Sequence, residues 1–93
     1  MTTDAQDDAA LRLVLTVLRG VLGEEPALAA CTALFEVPGF DSLALAAVVE
    51  RLEDELGTVL PDDLIVPESF TTPGDIASVL VVPALRAAGR GPS

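Results

Sequence analysis

The sequence contains no histidine, lysine, tryptophan or tyrosine, and its 93 residues include a single cysteine. A chain without imidazoles and with one thiol lacks the ligand sets that zinc and most other transition-metal sites need. It also has no histidine to act as a general base for nucleophilic catalysis. We therefore expect no metal site and no catalytic residues, although a small enzyme stays an alternative that turnover by the purified, unmodified chain would revive.

Basic residues are also scarce: five arginines stand against 15 aspartates and glutamates, which gives a formal net charge of -10. A chain this acidic, without tryptophan or tyrosine, has neither the phosphate-neutralising charge nor the stacking surface that nucleic-acid binding uses. Proteins with basic surfaces are the partners that this charge favours. Because only three residues are aromatic, the core must consist mainly of leucine, valine, isoleucine and alanine.

The single cysteine, Cys31, has no partner for a disulfide within the chain, and a reducing compartment is the simplest setting for it. The N-terminal residues are polar and acidic, and the longest apolar stretch, over residues 11–22, contains Arg12 and Arg19. These features fit neither a secretory signal nor a membrane-spanning helix. We expect a cytoplasmic, monomeric protein without a membrane partner.

Composition divides the chain into three parts. Residues 1–6 are polar and residues 87–93 are rich in glycine and proline, so we predict a flexible segment at each end. We predict one folded domain over residues 7–86. A domain of this size buries about 60 to 65% of the surface of its unfolded chain, which suffices for a stable fold with little to spare.

Two apolar stripes at helical spacing predict two long helices. The first helix covers residues 7–22 and ends at Gly23, and the second covers residues 42–56, with Asp41 as its N-cap and Gly57 as its C-terminal stop. Both stripes recur at i, i+4, i+7 and i+11; they consist of Leu11, Leu15, Leu18 and Leu22 in the first helix and of Leu45, Val49, Leu52 and Leu56 in the second.

A further helix begins at Thr72, a predicted cap with Pro73 at the first helical position and Asp75 in the capping-box position. Its apolar face consists of Ile76, Val79 and Leu80. Pro83 should end or kink this helix, because proline lacks an N–H group and clashes with the preceding turn.

Between these helices lie one long connection and one short element. The connection covers residues 24–41, and we expect Leu34 and Phe35 to fix it to the core; connections of this length in compact domains are usually functional. A very short helix is expected near residues 67–70. The predicted fold is all-α, a small four-helix bundle with a long first loop and a short third helix.

The segment Gly39-Phe40-Asp41-Ser42-Leu43 leads into the second predicted helix. A serine in this setting, followed by an acidic amphipathic helix, resembles the site of the acyl and peptidyl carrier protein family. The resemblance covers residues 8–82 and has four further features: the pair Leu34-Phe35, the helix ending from Leu52 to Gly57, the pair Leu60-Pro61, and the segment from Phe70 to Pro73.

The resemblance implies that Ser42 carries a covalently attached 4'-phosphopantetheine and that Asp41 helps to position the metal ion and coenzyme A during modification. The implied partners are a phosphopantetheinyl transferase, a loading enzyme for acyl or aminoacyl groups, and downstream synthase enzymes. Such a carrier performs no chemistry itself, because the arm supplies the thiol that holds the substrate as a thioester and the partner enzymes act on it.

The chemistry of a helix N-terminus is consistent with this site. A phosphodiester on the Ser42 oxygen would lie where unpaired backbone N–H groups and the positive end of the helix dipole favour an anion. The alternative interpretation is that Asp41 and Ser42 only cap a helix, which is the commonest use of such residues.

Helix geometry also predicts a partner surface. At about 100° per residue, Leu43 lies about 160° away from Leu45 in the apolar stripe, on the side of Ala47, Glu50 and Asp54. Acidic residues crowd the last turn of this helix, where the dipole disfavours negative charge. We predict a partner-binding surface that consists of Leu43, Ala47, Glu50, Glu53 and Asp54. The alternative is the solvated face of a protein that is acidic everywhere.

Departures from the family pattern indicate the pathway. Ala47 stands where carriers of primary fatty-acid synthesis usually have an acidic residue, and Phe40 stands where carriers of peptide synthetases often have glycine. We therefore expect a freestanding acyl carrier protein of a bacterial polyketide or related specialised pathway. A freestanding peptidyl carrier of a nonribosomal peptide pathway is the first alternative, and an unmodified acidic helical interaction module is the second.

Overall fold

The structure is a computed structural model that describes residues 2–23 and 27–90, with side chains over residues 8–23 and 27–87. Two long helices come first, α1 at Thr2–Leu22 and α2 at Ser42–Leu56. The last helix, called α3 here, is continuous over residues 73–90 and consists of an α-helical Pro73–Ile76, a π-helical Ala77–Val81 and an α-helical Val82–Arg90. Short 3-10 helices lie at Leu34–Glu36, Asp62–Leu64 and Pro67–Phe70.

The all-helical class is confirmed, and the described part of the chain contains no strand. The very short third helix predicted near residues 67–70 is present as a four-residue 3-10 helix, Pro67–Phe70, and a four-helix bundle is therefore not confirmed. Thr72 already caps the next helix, so no residues are left for a second turn. Among the described helices, none is long and apolar enough to cross a membrane.

The helix ends differ from the predicted ones. α1 begins at Thr2, earlier than the predicted start at Asp7. Acidic residues near a helix N-terminus favour the helix, and the polar composition of this segment does not prevent a helix from forming. α3 continues to Arg90, into the segment predicted to be flexible from residue 87. The division into a folded domain and two flexible ends stays a prediction, and Met1 and residues 91–93 lie outside the described residues.

Pro83 does not end α3, so of the two predicted outcomes, an end or a kink, the first is wrong. In a regular α-helix the ring of Pro83 would clash with the carbonyl of Val79, four residues earlier. The π-helical segment precedes Pro83, and the N–H group of Val82 donates to the carbonyl oxygen of Ala77, five residues back. The wider turn gives the proline ring room, which is how the helix passes this position.

The core lies where α1, α2 and α3 meet, and its centre differs from the predicted stripes. Leu18, Val49 and Leu52 are buried as expected. The other residues of the two predicted stripes are half-buried: Leu11, Leu15, Leu22, Leu45 and Leu56. The fully or nearly fully buried positions of α1 and α2 include Ala10, Val14, Val17, Ala44 and Val48. Small and β-branched side chains therefore make up much of the core beside the fully buried Leu18 and Leu52.

The long connection before α2 is held against the start of α3. The N–H group of Leu34 donates to the carbonyl oxygen of Thr71 over 2.9 Å, and that of Gly74 donates to Ala30 over 2.9 Å. A Cβ atom at Gly74 would stand 3.0 Å from the Ala30 oxygen, so a larger residue would force these segments apart. Leu34 is fully buried as predicted, but Phe35 is 50% exposed and is not part of the core.

Candidate functional site

A tight turn directs the chain into α2. Gly39 has a φ of +91°, a left-handed conformation that a side chain would strain. The N–H group of Phe40 donates to the carbonyl oxygen of Val37 over 3.1 Å, and that of Asp41 donates to Gly39 over 3.1 Å. The turn thereby sets where the first residue of α2 lies.

Phe40 anchors this turn to the core, a role that the sequence analysis missed. Its side chain is only 6% exposed, and its ring meets the ring of Phe35 edge to face with centroids 5.3 Å apart. Such aromatic pairs add stabilisation beyond the area that they bury. The sequence did contain a signal for this role: aromatic residues are scarce in the chain, and one of the three phenylalanines stands directly before the Asp-Ser pair.

Asp41 is the N-cap of α2, as predicted. Its backbone is extended, and its Oδ1 atom accepts a hydrogen bond from the N–H group of Ala44 at 2.9 Å. Its carbonyl oxygen accepts from the N–H group of Leu45, also at 2.9 Å. The cap fixes the first turn of the helix and leaves the neighbouring serine outside the hydrogen bond that defines the cap.

Ser42 is the first residue of α2, and it is exposed. By the geometry of an α-helix, the N–H groups of Ser42 and Leu43 have no partner within the helix, so they face an anion placed at this end. An exposed primary hydroxyl beside such donors fits a phosphodiester linkage. Ser69, by contrast, is buried, and the hydroxyl of Ser78 donates to the carbonyl oxygen of Gly74 over 2.9 Å.

The residues of the predicted partner surface fall into two groups. Leu43 is 81% exposed, and Glu50 and Asp54 are also exposed on α2, while Ala47 is half-buried. Glu53 has a structural contact instead: its Oε2 atom accepts a hydrogen bond from the N–H group of Leu60 at 2.8 Å. Its carboxylate therefore ties the loop after α2 to the helix.

The C-terminal end of α2 is closed by Gly57, as predicted. This residue has a φ of +68° and donates from its N–H group to the carbonyl oxygen of Glu53 over 2.8 Å. The N–H group of Thr58 donates to the same oxygen over 3.3 Å, which completes the left-handed helix cap.

Within the described residues, no group of three or more His, Cys, Asp or Glu side chains is placed to hold a metal ion. Cys31 is a free, exposed thiol in the long connection. The described residues therefore concentrate their distinctive chemistry at the start of α2: a capped helix N-terminus, an exposed hydroxyl and an exposed leucine.

Comparison with known families agrees with this location. The model of the family described as "Phosphopantetheine attachment site" matches residues 12–80, which include all of α2. The chain therefore belongs to this family of carrier proteins. A comparison with curated proteins and one with solved structures found no match.

Membership of the family defines the class of molecule. The protein bears a covalently attached 4'-phosphopantetheine and is a carrier without catalytic activity of its own. Proteins of this family act with a phosphopantetheinyl transferase and with synthase enzymes. The missing histidines and lysines agree with this role, because the chemistry takes place on the arm and in the partner enzymes.

Proposed function

We propose that Ser42 is the residue that carries the 4'-phosphopantetheine arm. The observation that carries this proposal is the position of an exposed serine at the first residue of a 15-residue helix whose cap, Asp41, is already formed. Ser42 and Leu43 present N–H groups to the phosphate, and the positive end of the helix dipole lies beneath it. The arm then extends into solvent with its thiol available for a thioester.

We assign to the chain's own residues the binding and orientation of the hydroxyl, and to the transferase the base that removes the proton from Ser42, because the chain has no histidine or lysine for that role. Asp41 supports the same step in two ways, because it holds the helix end in place and adds a carboxylate beside the hydroxyl for the metal ion that accompanies coenzyme A.

The test is modification in solution. Incubation with coenzyme A, magnesium and a broad-specificity transferase is expected to add one phosphopantetheine to the wild-type chain and none to Ser42→Ala. Ser78→Ala serves as the matched control, because Ser78 is also an exposed serine in a helix. Modification of Ser42→Ala at the wild-type level would overturn the assignment.

The class of cargo is an acyl group of a polyketide or related specialised pathway. Ala47 in place of the acidic residue of primary fatty-acid carriers, and Phe40 in place of the glycine of many peptide-synthetase carriers, support this assignment over the two other pathways. A peptidyl carrier of a nonribosomal pathway is the second candidate. Challenging the modified protein with acyl-loading and adenylating enzymes of both pathway types distinguishes them: acylation supports the polyketide assignment, and aminoacylation overturns it.

The partner surface of this carrier lies along the outer face of α2. Leu43 beside Ser42 offers an apolar contact, and Glu50 and Asp54 offer charge to basic enzymes. The small side chain of Ala47 allows a partner to approach α2 closely. Glu53 contributes mainly by holding the loop after α2 in place through its hydrogen bond to Leu60. The protein acts as a cytoplasmic monomer that binds several enzymes one after another.

A further inference from the structure

An apolar groove lies at the end of α2 opposite to Ser42. It has a volume of about 450 Å³ and is formed by the end of α2, the loop after it and the outer side of α3. Leu60 and Leu80 form its floor and are buried, Leu64 and Ala84 form its walls, and Val59 stands at the rim. A volume of this size falls within the range of ligand pockets.

The groove is open to solvent along an unusually apolar edge. Val59 is 80% exposed, and Pro83, which also lines the groove, is exposed beside it. An isolated exposed valine has no significance by itself. Here the exposed residues border a concave surface whose floor is already apolar, so an inserted side chain would bury both the floor and the rim.

The charge of the residues adjacent in sequence to the lining residues favours one kind of partner for the groove. The charged residues next in sequence to the lining residues are Glu55, Asp62, Asp63 and Arg86, three carboxylates against one guanidinium. All four side chains are exposed. A partner with arginine or lysine around its apolar anchor is therefore favoured, and a second copy of this chain, with a net charge of -10, is disfavoured.

We propose that this groove is a second docking site, which takes an amphipathic segment of a partner protein with one large apolar side chain flanked by basic residues. Ser42 and Leu56 stand about 21 Å apart along α2, because each helical residue rises about 1.5 Å. A partner held in the groove therefore leaves the arm and the Ser42 end free for an enzyme. The groove would tether the carrier to one component of its pathway while others act on its cargo.

The probe for this site is a synthetic helical peptide with a central phenylalanine flanked by arginines, added to the isotope-labelled full chain. The expected result is a set of amide shifts confined to residues 56–64 and 80–87, weakening as salt is raised. The same peptide with glutamate in place of arginine should bind at least about tenfold more weakly, because like charges then meet at the rim.

Two exposed apolar residues give matched variants. Val59→Asn is expected to reduce peptide binding about tenfold, because an uncharged amide then has to be desolvated against the apolar contact, and to leave phosphopantetheinylation unchanged. Leu43→Asn, which makes the same exchange of an exposed apolar side chain for an amide at the other end of α2, should slow modification and leave peptide binding unchanged. The two readouts separate this proposal from the assignment of Ser42, so either can fail alone.

Several outcomes would overturn the proposal. Absence of shifts at the groove, shifts at the Ser42 end in their place, or equal binding of the glutamate peptide would each do so. Concentration-dependent shifts of the same residues in the protein alone would show that the groove pairs two copies of this chain, which is equally incompatible with a basic partner segment.

Discussion

Three consecutive residues that lead into α2 have different structural positions. Phe40 is buried and anchors the turn, Asp41 caps the helix, and Ser42 is left exposed at its first position. Because each residue has its own contact, substitutions can separate the position of the helix end from the chemistry of the hydroxyl.

Asp41 provides the first such separation. Asp41→Ala should lower the free energy of unfolding by about 0.5 to 2 kcal/mol, because the N–H group of Ala44 loses its acceptor. Asp41→Asn keeps an oxygen at this position and should stay close to wild type in stability while slowing modification, because the carboxylate charge is lost. Urea denaturation and modification rates measure the two effects. Equal stability of the alanine and wild-type proteins would contradict the role of Asp41 as a cap.

A second pair of variants tests the orientation of α2. Leu52 is fully buried, so Leu52→Ala should cost about 2 to 5 kcal/mol through lost burial and the cavity that remains. Leu43→Ala removes the same atoms from an exposed position and should change stability little while slowing modification or loading. Chemical denaturation of both variants checks this, and equal destabilisation would contradict the orientation described for α2.

At the scale of single residues, the features that could be predicted from the sequence are those that depend on interactions within a few residues. The caps at Asp41, Gly57 and Thr72 follow from side-chain oxygens and glycine conformations within a few residues, and the structure has all three. The burial of Leu45 and Leu56 depended on how α2 approaches its neighbours, and a leucine stripe does not specify that approach. Phe35 was wrongly placed in the core for the same reason.

At the scale of elements, the end of α2 and the loop after it form one unit. Glu53 reaches across seven residues to the N–H group of Leu60, and Leu60 is buried in the floor of the groove. The acidic last turn of α2 is therefore partly explained by structure: one of its carboxylates holds the loop. The sequence shows that the end of α2 is acidic, but it does not show which carboxylate holds the loop.

The Glu53 contact predicts a stability difference within the acidic face. Glu53→Ala should lower the free energy of unfolding by about 1 kcal/mol, because the hydrogen bond to the Leu60 N–H group is partly exposed and is worth that order. Glu53→Gln retains an acceptor and should lose less. Glu50→Ala, on the exposed part of the same helix, is the control and should leave stability unchanged. Thermal or urea unfolding of these variants measures the differences. Equal losses of stability in Glu53→Ala and Glu50→Ala would contradict the structural role of Glu53.

Two features of the C-terminal part depend on neighbouring residues in a way that the sequence pattern does not specify. Pro83 was expected to end or kink the last helix, and the helix continues past it through a π-helical segment. The hydrogen bond from the N–H group of Val82 to the carbonyl oxygen of Ala77 in this segment has no signature in composition or period. The predicted third helix depended on its flanking residues, because Thr72 begins the next cap two residues after Phe70. Element types were predictable, whereas their ends and continuity depended on neighbours.

At the scale of the whole molecule, the two ends of α2 present different surfaces. The Ser42 end presents a hydroxyl and an exposed leucine, and the far end presents an apolar groove whose lining residues have three exposed carboxylates next to them in the sequence. The net charge of -10 extends over both, so basic partners are attracted to the whole chain and local features determine where they dock.

Charge reversal tests how far the outer face of α2 directs this attraction. Glu50→Lys with Asp54→Lys should slow modification mainly through the association rate, with the difference from wild type shrinking as salt is raised. The control, Asp62→Lys with Asp63→Lys, changes the net charge equally at the far end and should slow modification less. Stopped-flow or initial-rate measurements at several salt concentrations compare them. Equal rates for wild type and the α2 variant at low salt would contradict a steering role for these two carboxylates.

The central claim is that Ser42 bears the arm, and the most direct measurement is site-localising mass spectrometry of the chain after co-expression with a phosphopantetheinyl transferase. We predict a single phosphopantetheine, located by fragmentation on Ser42, with the other serines unmodified. Localisation to Ser78 or Ser69, or a chain that stays unmodified under conditions that modify a known carrier, would contradict the account.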